Sequence, residues 1–218
     1  MGLLVGRPVA RWHSALALLV LGALLSWSRA GSTTQPPGSW SERSPHAIAD
    51  VRQGRPLVIV VVVPLCSSSQ IDCGDHGLGN PGSLRTNLYW GALYGARRFF
   101  ERPDRGYERV AVEAGRAGAA APWLERAIYR RWLGGGPWGV ADGDRVEQIV
   151  VLEGFHGDDI DAAVDHFFLL TAHGGMVTFQ DGARLRTERI HVAGYAGHDR
   201  LMDGHVLHNQ PSIMILQE

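Results

Sequence analysis

The sequence predicts an α/β domain with three layers, in which helices cover both faces of a largely parallel sheet. The run 57–65 (LVIVVVVPL) is apolar and β-branched without alternation, which is typical of a strand buried on both faces of a parallel sheet. Helical and strand patterns then alternate along the chain, and this alternation favours βαβ units. Further strands are predicted at 109–113, 147–152, 190–196 and 212–216, and a hairpin at 176–180 and 184–188.

The three predicted helices have recognisable ends. The helix 87–102 (NLYWGALYGARRFFER) has Asn87 or Thr86 as its cap and is stopped by a proline. The helix 122–133 (PWLERAIYRRWL) has a proline in its first turn and three glycines beyond its end. The helix 158–173 (DDIDAAVDHFFLLTAH) begins with aspartates, which the helix dipole favours.

The start of the chain has the pattern of a secretory signal peptide. Arg7 and Arg11 precede the apolar run 15–25, and Ser28 and Ala30 suit the cleavage positions that follow it. The run is shorter than the roughly 20 apolar residues that a membrane-spanning helix needs. We therefore expect residues 1–30 to be removed and the protein to be exported, periplasmic or secreted, with an uncleaved membrane anchor as the alternative.

The rest of the chain is predicted to contain a single folded unit. Residues 31–50 are predicted to be a flexible leader because their first part is rich in proline, glycine and serine. Residues 51–218 have the length of one domain with a real core. The chain stops directly after the strand 212–216, and a parallel strand usually needs a helix to cover it, so we expect this domain to be truncated at its C-terminus.

Charge and composition exclude several classes of function. The 21 basic and 22 acidic residues nearly balance, without a basic stripe, so nucleic acid is not an expected partner. All 21 basic residues are arginine, which excludes a lysine Schiff base and the lysine of a phosphate-binding loop. No cofactor is predicted, and after signal cleavage we expect a peptide or protein partner rather than a membrane.

The two cysteines, Cys66 and Cys73, leave three interpretations open. In an oxidising compartment, cysteines seven positions apart can close a small disulfide loop, and export favours this pairing. Free structural thiols and a reactive thiol are the other two. A reactive Cys66 could pair with His198 as nucleophile and base, because both follow predicted strands, whereas a disulfide would disable that pair.

Candidate functional residues follow three of the predicted strands. Ligands of open α/β sheets gather outside the carboxyl ends of the strands. The segments 64–69, 153–159 and 195–205 bring cysteine, serine, histidine and aspartate to that edge. His198 is the sharpest candidate, because a strand that ends in Gly-His places an imidazole where a general base can act.

The strand 191–198 (HVAGYAGH) resembles the histidine strand of caspase-like cysteine peptidases. The resemblance implies a caspase-like fold, with His198 as the base that activates a cysteine at the end of the next strand, 212–216. No cysteine follows Cys73 in this sequence. We therefore expect a caspase-like domain without peptidase activity as the chain stands. The alternative is a non-catalytic binding domain whose recognition loops are 66–86 and 197–209, with Asp199 and Asp203 as binding residues.

A second resemblance covers more of the chain. The segments 87–95 (NLYWGALYG) and 197–203 (GHDRLMD) resemble an uncharacterised family of bacterial proteins that pairs NLYWGALYG with GHxxLMD. This resemblance supports the integrity of the domain and implies no activity.

A metal-dependent hydrolase is a further hypothesis. Histidine and aspartate are the usual ligands of divalent metals, and a cluster of them follows the last histidine-bearing strand. Its spacing matches no established metal motif, so a solvated polar loop is the competing interpretation. The candidate ligands are His198, Asp199, Asp203, His205 and His208.

Overall fold

The computed structural model describes residues 45–115, 122–141 and 143–198. The predicted signal peptide, the leader up to residue 44 and the strand 212–216 lie outside the described residues. So do four of the candidate site residues, which are Asp199, Asp203, His205 and His208.

Within the described residues, a five-stranded sheet forms the centre of the domain, and three α-helices and a hairpin accompany it. The strands are β1 (Leu57–Pro64), β2 (Glu108–Ala114), β3 (Glu125–Gly134), β4 (Arg145–Phe155) and β7 (Val192–Tyr195). The hairpin consists of β5 (Met176–Asp181) and β6 (Arg184–Arg189). The helices are α1 (Pro45–Arg52), α2 (Ala96–Phe100) and α3 (Ile160–His173).

The order β2-β3-β4-β1-β7 puts the apolar strand β1 inside the sheet. β1 pairs in parallel with β4 on one side and with β7 on the other, whereas β2 and β3 are antiparallel. The α/β class is therefore confirmed, but the described sheet is mixed rather than largely parallel. Alternate residues of β1 serve the two faces: Val58 and Val60 pack with the hairpin, and Val63 packs with Trp90.

The segment 122–133, predicted as a helix, is the strand β3, so that prediction was wrong. Its residues alternate between faces: Ala127 and Tyr129 are buried on one side of the sheet and Ile128 on the other. A strand between β2 and β4 buries these three side chains and pairs ten residues with β4. Proline and glycine, which set the predicted helix ends, punctuate strands as well as helices.

The predicted helix 87–102 is also largely wrong, since only Ala96–Phe100 is helical and 87–95 forms turns. The side chain of Asn87 accepts a hydrogen bond from the backbone N–H of Tyr89 at 3.0 Å. Asparagine side chains that bind nearby backbone groups in this way compete with helix formation. As a result, one face of the sheet is covered by an irregular segment, residues 66–95, which we call the covering loop.

The other predicted elements are confirmed with shifted ends: β2, β4, β7, α3 and the hairpin. Arg186 fixes the hairpin to the sheet, because it donates two hydrogen bonds of 2.8 Å to Glu147 on β4 and also pairs with Asp181 and Glu188. Residues 45–50 of the predicted leader belong to α1, in which Ala47 and Val51 are buried. Within the described residues, no helix combines the length and the apolar character needed to span a bilayer.

Candidate functional site

The carboxyl ends of β1, β4 and β7 lie side by side. Pro64 pairs with Phe155 and Val62 pairs with Tyr195. The chain beyond these residues is also in contact, because the N–H of Leu65 donates to the carbonyl of Phe155 at 3.0 Å. We call the residues that follow the three strands, 65–69, 156–159 and 196–198, the carboxyl edge. The three segments predicted from the sequence to share one edge meet there, the third of them as far as residue 198, where the described residues end.

Close backbone packing at this edge requires glycine at position 157. A Cβ atom on Gly157 would lie 2.4 Å from the carbonyl oxygen of Leu65. The N–H of Gly157 donates to the carbonyl of Pro81, and its carbonyl accepts from Gln70. The end of β4 is thereby bound to the covering loop near its start and in its middle.

Cys66 lies at the carboxyl edge, and its sulfur is bonded to Cys73. Both residues are buried. The predicted disulfide is therefore present, and Cys66 is not the thiolate partner of His198 that the alternative interpretation required. Both cysteines of this sequence are consumed by the bond.

Asn87 holds the start of the covering loop from inside. Its side chain is fully buried, and its Nδ2 donates to the carbonyls of Cys66 and Asn80, both at 2.8 Å. Its Oδ1 accepts from the N–H groups of Cys66 at 2.9 Å and Tyr89 at 3.0 Å. All the usual hydrogen-bonding capacity of the amide is used. From the sequence, Asn87 was predicted only as a helix cap, because its partner Cys66 is 21 residues away.

Two serines at the edge bind an aspartate from the end of β4. Ser67 Oγ donates to Asp158 Oδ1 at 2.6 Å, and Ser69 Oγ donates to the same oxygen at 3.1 Å. The hydrogen bond from Ser67 lowers the pKa of Asp158 below its ordinary value, and the bond from Ser69 adds to this effect. Because the proton of Ser67 is directed to a carboxylate, this serine is not arranged as a nucleophile activated by an imidazole.

His156 is not placed as a base for these serines, because its ring binds the backbone of Asp158 instead. Its Nδ1 accepts a hydrogen bond from the N–H of Asp158 at 3.3 Å and lies 3.9 Å from the carboxylate of the same residue. The imidazole therefore caps the 3₁₀ turn Gly157–Asp159. His156, Asp158 and the serines form a structural cluster that shapes the edge.

His198 lies three residues beyond the end of β7, beside the covering loop. Its ring is tilted against that of Tyr89, with 6.5 Å between the ring centroids. Its carbonyl accepts a hydrogen bond from the hydroxyl of Tyr195 at 3.2 Å. A Cβ on the preceding Gly197 would lie 2.7 Å from Pro64 Cγ, which shows how closely this segment approaches the end of β1. The residue as a whole is half-buried at the carboxyl edge, and both of its ring nitrogens are buried.

A buried polar group beneath the edge was not anticipated from the sequence. The indole N–H of Trp90 donates to Glu125 Oε1 at 3.0 Å, and Arg97 donates to the same oxygen at 2.6 Å. The Trp90 ring packs against the backbone of Gly154 on β4, where a Cβ would lie 3.1 Å from the ring. This contact fixes the covering loop to the sheet from below. Trp90 gave no sequence signal beyond its apolar character.

Two other histidines bind carboxylates away from the carboxyl edge. His191 Nδ1 accepts from the N–H of Val58 at 3.0 Å, and its Nε2 lies 3.2 Å from Asp50 Oδ2. Burial lowers the pKa of this imidazole, which is consistent with a neutral ring. His166 lies 2.8 Å from the buried carboxylate of Glu153. Both pairs connect elements of the fold.

The metal hypothesis stays a prediction. Among residues 45–115, 122–141 and 143–198, no group of three or more histidine, cysteine, aspartate or glutamate side chains is placed to hold a metal ion. Four of the five candidate ligands lie outside this part of the chain. The structure therefore neither assembles nor separates that cluster.

Comparisons with protein-family models, with curated proteins and with solved structures give no match for this chain. Only the chemistry of the described residues therefore bears on function. At the carboxyl edge this chemistry comprises a disulfide, a serine–aspartate cluster and two half-buried histidines, His156 and His198.

Proposed function

We propose that this protein is an exported α/β domain of caspase-like type, whose carboxyl edge around His198 binds a peptide or protein partner without cleaving it. The observation that carries the proposal is the state of Cys66. Cys66 lies two residues after β1, the strand that pairs with the histidine-bearing β7, and its sulfur is in a disulfide.

The position of His198 supports the caspase-like part of the proposal. The resemblance of the strand 191–198 implies a histidine at the carboxyl end of a sheet strand. β7 pairs in parallel with β1 over Val192–Tyr195, and His198 follows three residues later. Ligands of α/β sheets bind at this end of the strands, so His198 lies in the region where a ligand of such a sheet would bind.

The bonding of the neighbouring groups supports binding rather than hydrolysis. A nucleophile must have a free thiol or a hydroxyl that gives its proton to a base. Cys66 has no thiol proton, and the hydroxyl of Ser67 donates to Asp158, a carboxylate whose lowered pKa makes it a weak base. These bonds also hold the covering loop in one conformation, and a preorganised loop surface loses less entropy when a partner binds.

The disulfide and the sequence of residues 1–30 together support export. Disulfides persist in the periplasm and in secreted proteins, and they are rare in the reducing cytosol. The signal-peptide pattern predicts the same compartments. Detection of the N-terminus at Gly31 by mass spectrometry of the secreted or periplasmic fraction tests this part of the proposal, and an intact Met1 in that protein would contradict cleavage.

The binding function can be tested with an array of immobilised random dodecamer peptides probed with the fluorescently labelled protein. We expect wild-type protein to retain a subset of peptides and the His198→Ala variant to lose at least about tenfold in affinity, the scale of one lost charge-assisted or buried hydrogen bond. The matched control is His173→Ala, since His173 is exposed at the far end of α3. Mass spectrometry of the peptides after incubation should find them intact.

Two results would overturn the proposal. Hydrolysis of the peptides by wild-type protein but not by His198→Ala would show that the edge is catalytic. Equal retention by wild-type protein and His198→Ala, or equal loss in both variants, would show that the carboxyl edge is not the binding surface.

A further inference from the structure

A cleft opens between the covering loop and α2, and none of the carboxyl-edge residues lines it. Its volume is about 250 Å³, and its lining combines arginine, leucine and a glycine backbone. A Cβ on Gly91 would lie 2.3 Å from the carbonyl oxygen of Leu84, so the chain turns back on itself at the base of this space. The cleft, called the arginine cleft below, is lined by Leu84, Arg85, Gly91, Arg97, Arg98 and Glu101.

The charges around this cleft do not balance. Arg97 is fixed by Glu101 at 3.1 Å and by Glu125 at 2.6 Å, and Glu101 is also paired with Arg109 at 3.0 Å. In the described part of the chain, no ion pair involves Arg85 or Arg98. Three arginines and a single glutamate therefore line the space, and two of the arginines have no carboxylate partner there.

The surroundings of the arginines favour a carboxylate over a phosphate. Arginine binds both groups through paired N–H donors, but the carboxylate of Glu101 in the lining repels a dianion more strongly than a monoanion. Leu84 supplies an apolar wall. A volume below the range of about 300–1,000 Å³ of sites for drug-sized ligands suits a small group.

We propose that the arginine cleft binds a carboxylate attached to an apolar group, either a free amino-acid derivative or the C-terminus of a peptide. Arg85 and Arg98 donate to the carboxylate, Arg97 is held in place by its two glutamates, and the apolar group lies against Leu84. This inference does not depend on the role proposed for His198, because no residue of the carboxyl edge lines the cleft.

The test uses N-acetyl-leucine as the free acid and a tripeptide that ends in leucine as the second source of the carboxylate. Binding to the full chain is followed by NMR of the arginine Nε–H groups, with N-acetyl-leucinamide as the uncharged probe. We expect both acids to shift these signals and the amide to leave them unchanged. Arg85→Ala and Arg98→Ala should each weaken binding about tenfold or more, the scale of one hydrogen bond between charged groups.

Arg184→Ala is the matched control, because Arg184 is exposed at the hairpin and its substitution removes the same charge. Binding should be unchanged in this variant and in His198→Ala. The proposal is overturned if the amide binds as well as the acid, if Arg184→Ala weakens binding as much as Arg98→Ala, or if inorganic phosphate displaces N-acetyl-leucine at lower concentration than acetate does. Preference for the tripeptide over N-acetyl-leucine assigns the ligand to peptide C-termini, and the reverse assigns it to small acids.

Discussion

Asn87 offers a sharp test of how the covering loop is held, because one isosteric substitution replaces its amide donor by an acceptor and keeps its other oxygen. In Asn87→Asp, the two acceptor bonds from the N–H groups of Cys66 and Tyr89 are retained. The Nδ2 donor is replaced by a carboxylate oxygen, which then faces the carbonyls of Cys66 and Asn80 at the positions where bonds of 2.8 Å existed. The side chain is fully buried, so water cannot replace the lost donors.

The expected loss of stability follows from these two bonds. The buried carbonyl of Cys66 is left without a donor, which costs about 1–3 kcal/mol. The carbonyl of Asn80 keeps the N–H of Ser83 as a donor and adds less to this cost. Burial and the facing carbonyl oxygens raise the pKa of the introduced carboxyl in the folded protein. A raised pKa means that the protonated form is favoured by folding, so its stabilising effect is present at low pH and is lost as the pH rises through the folded pKa.

Urea denaturation at several pH values measures both effects. We expect a lower unfolding free energy for Asn87→Asp at pH 7, with a difference from wild type that narrows as the pH falls towards 5. The matched control is Asn80→Asp, because Asn80 is exposed in the same loop and its side chain accepts a hydrogen bond from Gly82, which an aspartate can also do. An Asn87→Asp variant as stable as Asn80→Asp at pH 7 would refute the reasoning.

Two further predictions concern a titrating group and a covalent bond. Burial lowers the pKa of His191, so protonation of this ring opposes folding. The free energy of unfolding should therefore fall as the pH drops below about 6.5, with a slope of up to about 1.4 kcal/mol per pH unit. Urea denaturation of His191→Asn, whose side chain can still accept from the N–H of Val58, should show a flatter pH profile, and an equally steep profile would contradict this prediction. Removal of the Cys66–Cys73 bond, which closes a loop with a separation of seven, should cost about 2–3 kcal/mol in the double alanine variant. A reducing agent should lower the melting temperature of the wild type and leave that variant unchanged, and an unresponsive wild type would count against the bond.

The parts of the fold that could be predicted from the sequence are those whose signal is local. β1 was predictable because nine successive positions are apolar, and α3 because its aspartates and glycines mark both ends. β3 was predicted wrongly because its apolar residues, Ala127, Ile128 and Tyr129, are buried on both faces of the strand. Apolar and polar residues therefore do not alternate in the sequence at these positions. A short apolar run of this kind fits a buried helix as well as a strand, and only pairing with β4 decides between them.

The candidate site divides in the same way. The position of His198 at the carboxyl edge could be predicted, since a Gly-His pair directly after an apolar run is a local pattern. The role of Asn87 could not, because its partner Cys66 is 21 residues away in sequence. His191 was also missed as a polar link, since the N–H that it accepts from belongs to Val58, 133 residues earlier. Such bonds become visible only once the sheet order brings the segments together.

The covering loop connects the two proposed binding surfaces, and this connection allows them to be separated experimentally. Tyr89 contacts the ring of His198, whereas Arg85 and Gly91 line the arginine cleft. In the sequence, Asn87 lies between Arg85 and Tyr89. A loosened loop loses more conformational entropy when a partner binds at either surface, which weakens binding. Asn87→Asp should therefore weaken binding of dodecamer peptides and of N-acetyl-leucine together, while His198→Ala affects only the first and Arg98→Ala only the second. If Asn87→Asp weakened one and spared the other, the loop would not act as a single unit, and the two surfaces would depend on separate anchors such as Trp90.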